Sequence, residues 1–180
     1  MSETEHDGPP KVALIAALVI AAVAALAVVL IARHDEPGRT PVPIAPVPAP
    51  QADAAPCTAL IAALPDRLGD YQRAPAADPV PAGAAAWQAD TGTEPVILRC
   101  GLERPADFVL GAPLQLVDAV SWFRVADASG DGRVTWYAVD RPVYIALTLP
   151  PGSGPAPIQT LSAVIAGTMP AQPIDPAPPR

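Results

Sequence analysis

The stretch of this chain that holds its aromatic residues contains no histidine: His6 and His34 both lie upstream of it. Without histidine, neither a Ser-His-Asp nor a Cys-His nucleophile can be assembled there. The whole chain has two cysteines, Cys57 and Cys100, and they form no Cys-x-x-Cys pair. Redox catalysis is therefore disfavoured, and a zinc site would need ligands that are not present. Asparagine is absent altogether, and Lys11 is the only lysine. Between Cys57 and Met169, seven arginines stand against eleven acidic residues, a net of −4. That sign is wrong for phosphate, which argues against nucleic acid and against anionic lipid headgroups. There is no GxGxxG, no Walker A loop and no HExxH. No cofactor or metal is expected.

What is present is a run of 21 apolar residues from Val12 to Ala32, with no charge, glycine or proline. As a helix it would reach about 31 Å, enough for a hydrocarbon core of about 30 Å. Residues 1–11 form a short tail in which Glu3, Glu5 and Asp7 outweigh Lys11. A cleaved signal peptide prefers the opposite charge, and Ile31-Ala32-Arg33 offers no small-x-small cleavage site. Residues 12–32 are thus expected to be a retained transmembrane helix, a single-pass signal anchor. Orientation is contested. Arg33 and Arg39 after the span outnumber Lys11 before it, favouring a cytoplasmic C-terminal side. The short tail and the two cysteines favour an extracytoplasmic one, and they are given the greater weight.

Residues 33–56 are rich in proline and alanine and are expected to be an extended linker, with a reach of up to about 60 Å. Pro43 to Pro46 also fits a Pro-x-x-Pro docking motif, although a plain spacer accounts for it better. Residues 170–180 repeat the composition and are expected to be a disordered tail. All eight aromatic residues fall within residues 57–169, which marks that region as the folded, extracytoplasmic domain.

Within it, Cys57–Leu64 reads as a helix stopped by Pro65, and Pro155–Thr168 as an amphipathic helix. Ala84–Ala89 and Val96–Leu102 read as strands, and Val120–Ala126 with Val134–Val139 as a hairpin. In Val143–Leu149, Val143, Ile145, Leu147 and Leu149 share one face, with Tyr144, Ala146 and Thr148 on the other. This order implies an α+β fold: an antiparallel sheet of about five strands packed with two helices. A disulfide between Cys57 and Cys100 suits an oxidising compartment and would stabilise by about 4 kcal/mol. The loop Asp127-Ala128-Ser129-Gly130-Asp131-Gly132 matches half of a calcium loop, but Ala138 occupies the position of the bidentate acid. A glycine-rich turn explains it better. Asp66, Asp70, Asp118, Asp127, Asp131 and Asp140 are available for carboxylate-pair chemistry, with a solvated surface as their default. Trp122, Phe123, Trp136 and Tyr137 are candidates for an aromatic binding surface, with one register placing Trp122 opposite Trp136. Cross-strand aromatic packing in the core accounts for the same rings.

The single span and Pro/Ala spacer, followed by Cys57, Leu64-Pro65, Ala86-Trp87, Ile97-Leu98-Arg99-Cys100-Gly101, Trp122 and Val143-Tyr144, resemble an actinobacterial family of membrane or exported proteins known as domain of unknown function 3515. The resemblance covers roughly Cys57 to Met169. It implies an envelope location and a paired cysteine, and it brings no catalytic residues. The expected function is a membrane-anchored, non-enzymatic binding or accessory module of the cell envelope, partnered by envelope proteins or cell-wall components. The alternative is a cell-envelope hydrolase using a carboxylate pair.

Overall fold

Eight strands, rather than five, build the sheet. The computed structural model describes residues 40–90, 92–126 and 130–179 together with Ile15, Ile20 and Ala21. In chain order the elements are α1 (Ala55–Ala63), β1 (Arg67–Leu68), β2 (Tyr71–Ala74), β3 (Ala84–Ala89), β4 (Val96–Leu102), β5 (Leu114–Val117), β6 (Val120–Ala126), β7 (Val134–Ala138), β8 (Tyr144–Leu149) and α2 (Ala156–Thr168). The strands lie in the order β1-β2-β3-β4-β8-β7-β6-β5, every neighbouring pair antiparallel. Two four-stranded meanders thus meet at the centre, where β4 pairs with β8.

The three unforeseen strands have local causes. β1 is two residues long, and β2 places Gln72 and Arg73 between Tyr71 and Ala74, so neither shows a period of two. β5 does alternate, as Leu114-Gln115-Leu116, but it is an edge strand of four residues that buries almost nothing. Its hairpin with β6 turns through Asp118, whose φ is +52°.

Both helices cover one face of the sheet. Cys57 and Leu60 of α1 pack with Ile158, Leu161 and Ile165 of α2 over Leu68, Trp87, Val96, Leu98, Val120, Trp122, Ile145 and Leu147. Each fully buried side chain of this size contributes about 1.5–3 kcal/mol. The indoles settle their N–H groups at the same interface. Trp87 donates to the carbonyl of Pro65, two residues past the end of α1, at 2.9 Å, and Trp122 donates to Ser162 of α2 at 2.9 Å. Proline sits in the first turn of each helix, where its missing N–H costs nothing. The Cys57–Cys100 disulfide ties α1 to β4, with Cα atoms 5.6 Å apart.

The other face has no helix. One half is covered by residues 40–46: Val42 and Ile44 pack on Ala74 and Ala86. Val42 bridges in parallel to Ala76, donating to the Pro75 carbonyl and accepting from the Ala77 amide, both at 2.8 Å. The second half is covered by Phe108 and the C-terminal segment, where Ala177 bridges to Val109 and Arg104 pairs with Asp175 at 2.9 Å. These contacts correct two expectations. From Thr40 onward the proline-rich stretch is attached to the domain rather than a free spacer, and Pro56 already belongs to α1. The tail is likewise bonded, Gln172 donating to the Asp140 carbonyl at 2.9 Å. Proline-rich composition excludes helix, but it does not prevent alternating Val and Ile from burying themselves on a sheet.

Among the described residues, no helix is long and apolar enough to cross a membrane. Most of the expected span, Val12–Ala32, lies outside them, as do residues 1–11 and 33–39.

Candidate binding cleft

Between its two proline-rich covers, the helix-free face opens into a cleft of about 350 Å³ over the centre of the sheet. Its floor follows from register. Arg99 on β4 stands opposite Ala146 on β8, and Ala146 stands opposite Tyr137 on β7. The row is therefore long, short, long: a methyl group between a guanidinium and a phenol. In the next row Thr148 stands opposite Thr135, and their hydroxyls are 3.0 Å apart. Val47, Pro48, Leu102, Glu103 and Pro105 complete its lining.

The Arg99-Cys100-Gly101 tripeptide places three features at this point. Strand alternation sends Leu98 and Cys100 under the helices and turns Arg99 to the open face. Gly101 then interrupts the ladder. The pairing jumps from Cys100–Ile145 to Leu102–Tyr144, a bulge that puts Leu102 on the same face as Arg99. Gly101 has φ +85°, and a Cβ there would collide with the backbone of Gln51 and Ala52. The Gln51 amide donates to the Gly101 carbonyl at 3.0 Å, so the absence of a side chain lets the N-terminal cover approach.

Electrostatically the cleft is sparse. Arg99 makes one long hydrogen bond, from Nη2 to the Ala45 carbonyl at 3.3 Å, and its buried Nε–H has no partner. Among the described residues it forms no ion pair with Glu103 or any other acid. Burial pulls the Arg99 guanidinium below its usual pKa, and the neighbouring Tyr137 opposes that. Burial likewise raises the Tyr137 phenol, against the pull of Arg99. Tyr137 therefore stays protonated and able to donate, while Arg99 remains the one cation of the site.

The four expected aromatic residues do not form one surface. Trp122 is fully buried under α2, and Phe123 points to the opposite face, tilted against Phe108 with ring centroids 5.4 Å apart. Trp136 stands opposite Arg124, not Trp122, which itself pairs with Ala138. That two-residue difference follows from the pairing of Ala126 with Val134 at the loop. Trp136 packs at the margin of the helix-covered core. Tyr137 alone of the four lines the cleft.

The acidic candidates scatter. Asp66, Asp70 and Asp118 are exposed, and Asp131 pairs with Arg133 at 2.6 Å. Asp140 is buried with Arg141 at 2.9 Å, and it accepts from the Ser121 amide at 2.8 Å. Arg141 also donates to the Ala119 carbonyl at 2.6 Å, so this pair fastens the β7–β8 turn to the start of β6. Residues 127–129 of the calcium-like loop lie outside the described residues. Among those described, no group of three or more His, Cys, Asp or Glu could hold a metal ion.

A family profile described as "Protein of unknown function (DUF3515)" matches residues 13–174. The chain belongs to this family. The DUF3515 match runs beyond the 57–169 region, through the N-terminal cover of the open face and into the start of the C-terminal one. No curated protein and no solved structure matches the chain.

Arg99, Ala146, Thr135 and Thr148 were not legible as site residues. One signal was available: a single charge within the apolar strand Val96-Ile97-Leu98-Arg99-Cys100.

Proposed function

We propose that this DUF3515 protein is a non-enzymatic binding or accessory module of the cell envelope, and that it binds through the cleft on its helix-free face. The observation that carries this is the composition of the cleft: apolar walls, hydroxyl groups and one guanidinium without an acidic partner. Ligand-binding pockets have this character, apolar with a few placed polar groups. A hydrolase working by a carboxylate pair finds less support, because Glu103 is the one acid lining the cleft. Anchorage through Val12–Ala32, with the domain on the extracytoplasmic side, completes the proposal. The joined cysteines favour that side, since such bonds persist where the surroundings are oxidising.

Site-specific photocrosslinking in cells tests the assignment. A photoreactive residue at Val47 or Glu103, on the cleft rim, is expected to capture an envelope partner. The same residue at Ala62 or Ala63, on the exposed side of α1, is expected to capture none. Capture confined to the α1 positions would overturn it.

A further inference from the structure

Building on the assignment of the cleft as the binding site, we propose that it takes a ligand bearing a single carboxylate on a short apolar body, held by the Arg99 guanidinium. Arg99 is half-buried, with its Nε–H out of water and no counter-charge beside it, a costly arrangement that a ligand anion relieves. The Nε–H of Arg99 is buried without a partner, and the accessible Nη groups of the side chain lining the cleft present the planar fork that a carboxylate matches with two parallel hydrogen bonds.

The surroundings set the rest of the ligand. Val47, Pro48, Leu102, Pro105 and Ala146 give the cleft an apolar lining, suited to a hydrocarbon body. A volume of about 350 Å³ lies at the small end of ligand sites. Of the facing Thr135 and Thr148 hydroxyls, one donates to the other, and the acceptor keeps its own proton for the ligand. Charge separates carboxylate from phosphate. One cation neutralises a monoanion, whereas a dianion would keep an uncompensated charge beside Glu103.

The test uses the full chain in detergent micelles, isotope-labelled, with NMR observation of the Arg99 Nε–H and Ala146 methyl signals. The probes are hexanoate, hexanamide, inorganic phosphate, and a short apolar peptide with a free or an amidated C-terminus. Hexanoate is expected to shift both signals saturably and to bind about ten- to a hundredfold more tightly than hexanamide. Arg99→Gln is expected to remove the preference. Ala146→Leu, which fills the trough and leaves the guanidinium in place, is expected to remove binding while the backbone spectrum stays folded. Of the two peptides, saturable binding of the free-carboxyl form alone would make a chain terminus the source; hexanoate binding without it would make the source a free acid. Equal affinity for hexanoate and hexanamide, or tighter phosphate binding, would overturn the proposal. So would the lack of saturation with hexanoate up to about 10 mM. If hexanoate fails while rim crosslinking succeeds, the carboxylate falls and the cleft stands. If hexanoate binds while rim positions capture nothing, the carboxylate stands and the envelope-protein partner falls.

Discussion

The two faces of one sheet are covered by different materials. On one side, α1 and α2 close their own backbone hydrogen bonds and offer continuous apolar stripes, so they seal a dry core around Trp87 and Trp122. On the other side, proline-rich segments have few amide donors and must borrow partners from the domain. Residues 40–46 do so at Pro75 and Ala77, and the C-terminal segment does so at Phe108, Leu110 and Asp140. Covers attached at separate points leave a gap where they do not meet. The gap lies above Ala146, the short residue between Arg99 and Tyr137. The helical face stabilises the sheet, and the proline-covered face supplies its accessible chemistry.

The largest effects should come from the helical face. Leu161→Ala removes a fully buried side chain from α2 and should cost about 2–5 kcal/mol in chemical denaturation of the full chain. Replacing Cys57 and Cys100 with serine should cost about 2–5 kcal/mol, because it releases a bond spanning 43 residues of sequence. If either change proved neutral, the helical face would not be the main source of stability.

Gly101 lies where the two faces are coupled, on the strand that carries both the disulfide and Arg99. Gly101→Ala forces a side chain onto a left-handed backbone and into Gln51 and Ala52, at a cost of about 1–3 kcal/mol. It should also loosen the N-terminal cover and disturb Leu102 in the cleft. Hydrogen exchange at the Gln51 amide, which donates to the Gly101 carbonyl, should accelerate in this variant. Unchanged exchange there would mean that the cover is held independently of the bulge.

The same contrast explains what could be read from the sequence. The five strands expected from it are the five longest in the sheet, and Val143, Ile145, Leu147 and Leu149 bury together as their alternation required. Strands β1 and β2 are held by their neighbours rather than by their own patterns, and β5, although it alternates, is a four-residue edge strand that buries almost nothing. The open face was obscured by composition. Residues 41–44, Pro-Val-Pro-Ile, read as a spacer because proline dominates a local view, yet Val42 and Ile44 alternate like a strand. The cleft depends on Arg99, Ala146 and Tyr137 being aligned across three strands, and register of that kind emerges only from the assembled sheet. Trp122 and Phe123 are adjacent in sequence and part to opposite faces, which is why the expected aromatic surface does not exist.

Val42→Ala tests the weaker cover. It removes two methyl groups from a fully buried position and should cost about 1–2 kcal/mol. The Val42 and Ala77 amides, paired through the Val42 bridge, should exchange faster, while those of β4 stay protected. Equal acceleration in β4 would show that the cover and the sheet unfold as one unit.

The smallest effect concerns Tyr137, whose phenol titrates above its ordinary value because it is half-buried in the cleft. A phenol with a raised pKa in the folded chain favours folding while it is protonated. That contribution is fully present below the unfolded value near pH 10 and is lost as pH rises through the higher folded value. Tyr144 shifts in the same direction, first through burial and then through Asp175, so both tyrosines of the open face should weaken the fold in alkali. Spectrophotometric titration of the phenols should show Tyr137→Phe removing one late-titrating group. The variant should also lose less stability than the parent between neutral and strongly alkaline pH. An ordinary Tyr137 titration would mean that water fills the cleft freely, and the contrast between a sealed face and a sparsely covered one would become sharper still.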